Sequence, residues 1–276
     1  MKPSRRNVLR GVIAAAALPG RAAVAAAETA TPASAAAFPI DAGRHFKERG
    51  LVGTFVLLSV QDDTMLAHNP ARADTPYLPC STYKIPNSLI ALETGVVRDE
   101  NEVLKWDGVE RPVAAWNKDH SMRTGIAASA VWFYQEMARR IGEKRMQEWI
   151  DRIGYGNRDI GGGIDQFWLT GALRTTAREQ VDFVRRLYAD ELPFSERSRR
   201  IVMDILILEK TDLYVLRGKT GLSGRPGIGW FVGWLERGPR AFVFALNVDM
   251  KADTDIGVRK EIAVAVLRDL GLVEKG

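Results

Sequence analysis

A serine and a lysine stand three residues apart in the stretch PCSTYKIPN, which runs from Pro79 to Asn87. A serine hydroxyl is a weak nucleophile until a neighbouring base removes its proton, and a lysine whose pKa is lowered by burial can be that base. If Ser81 caps a helix, Lys84 lies on the same face of its first turn, and the helix N-terminus favours an oxyanion nearby. The pair is equally consistent with an ordinary helix cap and a surface lysine.

Three short motifs follow this pair. SAV (Ser129 to Val131) precedes a predicted helix, YGN (Tyr155 to Asn157) falls at a predicted helix end, and KTG (Lys219 to Gly221) ends a predicted strand. An S-x-x-K pattern arises by chance about once in a chain of this size, and each exact tripeptide in roughly a few per cent of such chains. The ordered combination is therefore specific, although S-x-x-K alone is not.

Other reactive side chains give weaker signals. Cys80 adjoins Ser81 and is the only cysteine, so no intrachain disulfide is possible, and a small buried apolar role is favoured over a nucleophilic one. The three histidines, His45, His68 and His120, show no spacing typical of metal ligands. A catalytic metal is therefore not expected.

With DQFWL added to these motifs, the sequence resembles the serine β-lactamases and penicillin-binding proteins, and most closely the class D (OXA-type) β-lactamases. The resemblance covers about residues 50–272. The S-D-N pattern of class A is absent, and Ser129-Ala130-Val131 stands in its place. The resemblance implies hydrolysis of β-lactam antibiotics, with resistance as the result. It also implies no cofactor except carbon dioxide or bicarbonate, which would convert Lys84 to N6-carboxylysine.

The resemblance also assigns catalytic roles. Ser81 would attack the lactam carbonyl, and carboxylated Lys84 would be the general base for acylation and deacylation. Ser129 would relay a proton to the lactam nitrogen. Trp168 would donate its indole N–H to the carbamate, although a tryptophan at this position is also consistent with a packed core aromatic.

The same resemblance implies the binding residues. The substrate cleft and its carboxylate site would be lined by Lys219, Thr220, Gly221, Leu222 and Arg259. Backbone N–H groups of Ser81 and Leu222 would form the oxyanion hole. The supporting residues would be Val131, Leu169, Tyr155 and Asn157, of which the first two keep the lysine dry. Arg259 is also consistent with a solvated charge on a helix face.

Three residues depart from the family pattern. Tyr83 stands where many members have phenylalanine, which places a hydroxyl near a pocket that should be dry unless it points away. Leu222 replaces an aromatic residue, and Thr170 replaces an acid. We expect these differences to alter substrate range more than reaction class.

The elements that must position these residues are predicted from periodicity. Residues 53–60 and the following TMLAHN form a hairpin, and about residues 80–205 are mostly helical, with helices that end at Gly95, Gly142 and Gly154. Thr176 and Glu179 make a capping box. Three strand-forming runs and a last helix follow. The predicted fold class is α+β, an antiparallel sheet of five or more strands, from about residues 50–70 and 212–250, flanked by helices with a helical subdomain.

The N-terminal segment has the layout of an export signal. Residues 1–27 hold a charged start, a short apolar run and small residues, and Ser4 to Leu9 resembles a twin-arginine signal, although a general secretory signal remains the alternative. The apolar run is too short to span a bilayer. This segment holds five basic residues and no acid, so the net charge of +5 does not indicate nucleic-acid binding. We expect a single periplasmic domain, residues 28–276, free of the membrane.

Two other functions stay open at this level. A β-lactam sensor domain is acylated once and barely turns over, and a penicillin-binding transpeptidase or carboxypeptidase acts on cell-wall peptides. The FWL and YGN motifs together argue against the second. Substrate range and oligomeric state do not follow from the sequence.

Overall fold

The computed structural model describes residues 39–274. Within them lies one antiparallel sheet with the strand order β2-β1-β6-β5-β4-β3. Its strands are β1 (Gly53–Ser59), β2 (Thr64–His68), β3 (Ile207–Lys210), β4 (Val215–Leu222), β5 (Gly227–Arg237) and β6 (Arg240–Met250). The predicted export signal, residues 1–27, lies outside the described residues. In residues 39–274, no helix combines the length and the apolar character that a membrane crossing requires.

Helices lie on both sides of the sheet. They are α1 (Arg44–Lys47), α2 (Pro70–Ala73), α3 (Lys84–Glu93), α4 (Met122–Ala128), α5 (Val131–Ile141), α6 (Glu143–Ile153), α7 (Ala177–Tyr188), α8 (Glu196–Ile205) and α9 (Val258–Asp269). The helices α3 to α8 share one hydrophobic core with one face of the sheet. The helices α1 and α9 share a second core with the opposite face.

The centre of the sheet is built from both ends of the chain. β1 pairs with β6 from Gly53 opposite Val248 to Ser59 opposite Phe242, so the N-terminal hairpin joins the C-terminal strands in one sheet, as predicted. β5 and β6 form a long hairpin that turns at Gly238, whose φ of 57° suits glycine. The short edge strand β3 was not predicted, because its four residues are mostly exposed and carry no alternation.

Several helix ends follow the predicted signals. α5 and α6 end at Gly142 and Gly154, and α7 begins at a capping box. In that box the Thr176 backbone N–H donates to Glu179 Oε2 at 2.8 Å, and the Glu179 N–H donates to Thr176 Oγ1 at 3.1 Å. The helices α4 and α8, which are each capped by a serine, were not predicted from the sequence.

The predicted helix cap at Ser81 is wrong. Ser81 lies inside a 3₁₀ turn, Cys80–Tyr83, and α3 begins only at Lys84 with no side-chain cap. Cys80 has a φ of 52°, so the chain enters the turn from a left-handed residue rather than from a capping one. The Ser81 hydroxyl is instead within hydrogen-bonding distance of the Lys84 amine. Pro86 is the third residue of α3, where a missing N–H costs little.

Candidate active site

The Ser81 hydroxyl and the Lys84 amine form a close pair. Lys84 Nζ lies 2.8 Å from Ser81 Oγ, and Lys84 is fully buried while Ser81 is half-buried. Burial lowers the pKa of Lys84 to about 7, because an ammonium group loses its hydration there. Near neutral pH a large fraction of Lys84 is therefore uncharged, and a neutral amine can accept the proton of Ser81.

The turn that carries Ser81 is held by backbone contacts on two sides. The Cys80 N–H donates to the Trp168 carbonyl at 3.0 Å, and the Trp230 indole donates to the Leu78 carbonyl at 2.9 Å. On the sheet side, a Cβ added at Gly221 would lie 2.9 Å from the Pro79 carbonyl oxygen. The glycine of KTG thus allows β4 to approach the turn closely.

Trp168 lies beside this turn with an unpaired donor. Its side chain is fully buried, and its Nε1 has no hydrogen-bond partner among the described residues. A buried indole N–H normally finds an acceptor, so the position is suited to one that the bare chain does not supply. Leu169, the next residue, is half-buried, and the neighbouring Thr170 is exposed.

The Tyr83 hydroxyl finds its partner on α6. It donates to Met146 Sδ at 3.1 Å, and the Tyr83 ring stacks on the Trp168 indole with centroids 5.4 Å apart. Tyr83 is fully buried. The phenol therefore presents only its apolar ring to Trp168, which answers the question that this residue raised in the sequence.

The SAV motif joins α4 to α5. Ser129 is half-buried and terminates α4 in a left-handed conformation with a φ of 54°, which is unusual for a residue other than glycine. Val131 is the first residue of α5 and is also half-buried. From the same helix, the Tyr134 ring centroid lies 5.2 Å from Lys84 Nζ and forms one wall of the lysine pocket.

The KTG strand brings a second buried lysine to the site. Lys219 is only 6% exposed, and its Nζ donates to the Thr220 carbonyl at 3.0 Å. Burial, and after it the charges of Lys84 and Arg259, hold the pKa of Lys219 well below its ordinary range. Thr220 and Leu222 are half-buried and Gly221 is buried. This arrangement leaves the end of β4 rich in basic groups and suited to an anion.

Arg259 reaches β4 from the first turn of α9. It is 8% exposed and donates from Nε to the Ile256 carbonyl at 2.8 Å and from Nη1 to the Gly221 carbonyl at 2.6 Å. A Cβ at Gly229 would lie 2.8 Å from Arg259 Cδ, so that glycine makes room for the side chain. Arg259 is therefore not a solvated charge on a helix face.

The YGN motif contacts residues 172–175, in the segment that follows Trp168. Asn157 is exposed and donates to the Ala172 carbonyl at 3.0 Å, while its Oδ1 accepts from the Arg174 N–H at 2.9 Å. Gly156 has a φ of 54°, and a Cβ there would lie 2.1 Å from the Arg174 carbonyl oxygen. The motif therefore anchors the segment that follows Trp168. Tyr155 is buried, and its hydroxyl donates to Gln180 Oε1 at 3.3 Å.

Four residues that shape the site were not predicted from the sequence: Thr82, Tyr134, Gln180 and Trp230. Gln180 carried a signal, because it occupies the buried stripe of α7 between Ala177 and Val184, where an amide needs partners. The others carry no distinguishing pattern. Within residues 39–274, no three or more His, Cys, Asp or Glu side chains are arranged to hold a metal ion.

The chain is similar to known proteins over most of its length. Residues 53–268 match the family model of the penicillin binding protein transpeptidase domain. The β-lactamase OXA-48 of Klebsiella pneumoniae is 46% identical over 226 residues, which cover 81% of this chain and 85% of that protein. The β-lactamase OXA-5 of Pseudomonas aeruginosa is 42% identical over 238 residues, covering 84% and 89% of the two chains.

A solved structure shares the fold as well. The class D β-lactamase YbXI from Nostoc superposes with a TM-score of 0.83 at 44% identity, over 85% of this chain and all of that chain (100%). The fold and the contact of Ser81 with the buried Lys84 define a serine enzyme with the penicillin-binding architecture. Within that group, the chain belongs to the class D β-lactamases.

Proposed function

We propose that this protein hydrolyses the β-lactam ring of antibiotics through an acyl-enzyme on Ser81 and so confers resistance. The observation that carries the proposal is the 2.8 Å contact between Ser81 Oγ and a buried lysine whose pKa is about 7. Ser81 Oγ bonds to the lactam carbonyl carbon and gives up its proton to the base at Lys84. The ring C–N bond then breaks, Ser129 passes a proton to the nitrogen, and water later hydrolyses the ester.

The base in this proposal is Lys84 after carboxylation by carbon dioxide. Two observations support it: the neutral amine of Lys84 is suited to attack carbon dioxide, and the Trp168 N–H lacks an acceptor. When present, the carbamate supplies a carboxylate that accepts a proton in both acylation and deacylation. The Trp168 indole would hold it by a hydrogen bond, and Val131 and Leu169 would limit its contact with water.

Substrate recognition follows from the basic end of β4. Lys219 and Arg259 are buried basic groups whose bonded acceptors among residues 39–274 are backbone carbonyls, so they favour a substrate that brings its own carboxylate. Thr220 and Leu222 line the same strand end. The backbone N–H groups of Ser81 and Leu222 are the proposed oxyanion hole. We place the reaction in the periplasm, reached through the twin-arginine-type signal in residues 1–27.

Turnover of a chromogenic β-lactam, with and without bicarbonate, tests the proposal. We expect continuous hydrolysis that bicarbonate increases in buffer free of carbon dioxide. A stoichiometric burst without further turnover, even with bicarbonate, would instead indicate a sensor or penicillin-binding domain. Lys84→Ala should leave a long-lived adduct on Ser81, detected by mass spectrometry if acylation still occurs. Lys105→Ala, which changes an exposed lysine paired with Asp119, is the matched control and should turn over normally.

A further inference from the structure

A chain of buried hydrogen bonds connects the YGN motif to the turn that carries Ser81. The Tyr155 hydroxyl donates to Gln180 Oε1 at 3.3 Å, and Gln180 Nε2 donates to Thr82 Oγ1 at 2.8 Å. The Thr82 hydroxyl in turn donates to the Pro79 carbonyl at 2.7 Å. All three side chains are at most 1% exposed, so water does not compete for these bonds.

The direction of this chain is fixed by its donors. The Thr82 hydroxyl donates its proton to the Pro79 carbonyl, so Thr82 Oγ1 can only accept a hydrogen bond from the side chain of Gln180. The amide of Gln180 must therefore point its nitrogen at Thr82 and its oxygen at Tyr155. A reversed amide would place two acceptors against each other in a buried site, which costs free energy.

The chain ends on the atoms that set the position of Ser81. Pro79 and Thr82 are the residues on either side of Cys80 and Ser81 in the sequence, and the Pro79 carbonyl is also the point that Gly221 approaches. Ser81 is only half-buried, and its own hydroxyl is engaged with Lys84. The orientation of the nucleophile therefore depends on its neighbours in the turn.

We infer that Gln180 is a positioning residue, whose amide holds Thr82 and Pro79 so that the turn presents the Ser81 hydroxyl to Lys84. Gln180 touches no reacting atom and acts through Thr82. The inference rests on the proposed role of Ser81 as the nucleophile. It also gives the YGN motif a physical task, because Tyr155 fixes the amide of Gln180 from the other side.

Gln180→Leu tests the inference, because leucine keeps the buried volume and removes both hydrogen bonds. We expect acylation of Ser81 per titrated active site to slow by about 10- to 100-fold, since small misplacements of a reacting group have effects of this size. The dissociation constant of the non-covalent substrate complex should change little, because Gln180 touches no reacting atom.

Val184→Ala separates positioning from stability. Val184 is fully buried on the same helix and outside the hydrogen-bond chain, so alanine there should lower the melting temperature without slowing acylation. The double variant Thr82→Val/Gln180→Leu should be acylated no more slowly than the slower of its two single variants, because both substitutions break the same chain of hydrogen bonds. Wild-type acylation rates in Gln180→Leu, or additive effects in the double variant, would overturn the inference.

A second probe keeps this test independent of the substrate. An alkyl fluorophosphonate bonds its phosphorus to an activated serine oxygen, fluoride leaves, and the serine proton passes to the base. If the wild-type protein fails to hydrolyse β-lactams but is labelled at Ser81, the proposed function fails, and slower labelling of Gln180→Leu still supports the positioning role. Equal labelling of the two proteins, or no labelling of the wild type, contradicts it.

Discussion

At the residue scale, the site combines two groups that the bare fold leaves in unfavourable states. Lys84 is a buried amine with a pKa of about 7, and Trp168 is a buried donor without a partner among the described residues. Each costs folding free energy. Such costs concentrate at functional sites, where removing them raises stability and lowers activity.

Lys84→Met is expected to stabilise the protein and abolish hydrolysis. In the wild-type protein the pKa of Lys84 is about 7 when folded, and its ordinary value is 10.5. Between these two pH values the unfolded chain therefore binds more protons than the folded one. Wild-type stability therefore rises with pH across this window, and the penalty of the buried lysine is full below pH 7. We expect the free energy of unfolding of Lys84→Met to exceed that of the wild type by a few kcal/mol below pH 7, as the pKa difference implies. This gain should shrink towards pH 10.5.

The measurement is denaturant unfolding at several pH values in buffer free of carbon dioxide. A gain that stays constant from pH 7 to 10 would contradict the depressed pKa of Lys84. Lys105→Met is the control, because Lys105 is exposed and should show no comparable gain.

Trp168→Phe should separate carbamate binding from packing. Phenylalanine removes the unpaired N–H, worth about 1–3 kcal/mol when buried, and this offsets part of the packing that is lost. We expect the melting temperature to change only modestly. The bicarbonate concentration that gives half-maximal activity should rise at least about tenfold, because one hydrogen bond to a charged group is lost.

Trp234→Phe is the matched control for Trp168. Trp234 is also fully buried, but its indole already donates to Glu236 Oε1 at 2.9 Å. This variant should lose stability and keep the wild-type bicarbonate dependence. If both variants respond alike to bicarbonate, the indole of Trp168 does not hold the carbamate.

At the element scale, the site is a junction between the 3₁₀ turn, the β4 strand and the loop that carries Trp168. The turn bonds to that loop through Cys80 and approaches β4 where Gly221 lacks a side chain. Arg259 from α9 then bonds the Gly221 carbonyl from the far side. Gly221 therefore allows the strand and the turn to lie close together, and the bond from Arg259 holds the strand in place.

Gly221→Ala should move the strand away from the turn. Its Cβ would lie 2.9 Å from a backbone oxygen that has no flexible side chain to give way. We expect a loss of about 1–3 kcal/mol of stability, typical of overpacking, together with slower acylation. Gly218→Ala is the control, because its Cβ would meet Phe231 and the Val232 carbonyl at 2.8 Å, away from the turn. It should lose stability alone, and equal loss of activity in both variants would contradict the argument.

Sequence patterns predicted most of these elements but not their junction. The spacing of Ser81 and Lys84 brings them together either in a helix or in a 3₁₀ turn. The two side chains therefore meet although the predicted helix cap is wrong. Glycine signals located the ends of α5 and α6. The left-handed conformation of Cys80 was not predictable from the sequence. Its conformational free energy cost is offset by contacts with residues distant in sequence. The partners of Gln180 depend on tertiary structure in the same way.

At the scale of the whole molecule, the sheet separates two hydrophobic cores. The proposed catalytic residues Ser81, Lys84, Ser129 and Trp168 belong to the side with α3 to α8, whereas α1 and α9 cover the other face. Arg259 is the exception, since α9 delivers it around the end of the sheet to β4. Stability of the outer core and chemistry of the site are therefore largely separable.

Phe46→Ala should show this separation. Phe46 lies in α1, is 2% exposed, and packs in the outer core where Gly53 leaves room for its ring. We expect a loss of about 3–5 kcal/mol of stability, typical of deleting a buried phenylalanine, with an unchanged kcat at temperatures where the variant is folded. A lowered kcat per folded molecule would mean that the two faces of the sheet are coupled. Val52→Ala, at a site 58% exposed, should change neither quantity.

The single cysteine has a practical consequence of a different kind. Cys80 is fully buried next to Ser81, the proposed nucleophile, and burial raises the pKa of its thiol to about 12. Only the thiolate reacts with alkylating reagents, so the folded turn protects Cys80 both by burial and by pKa. The rate of thiol labelling therefore measures how often the active-site turn opens. The protein thus carries a built-in reporter of local unfolding one residue from the chemistry, and no probe needs to be introduced.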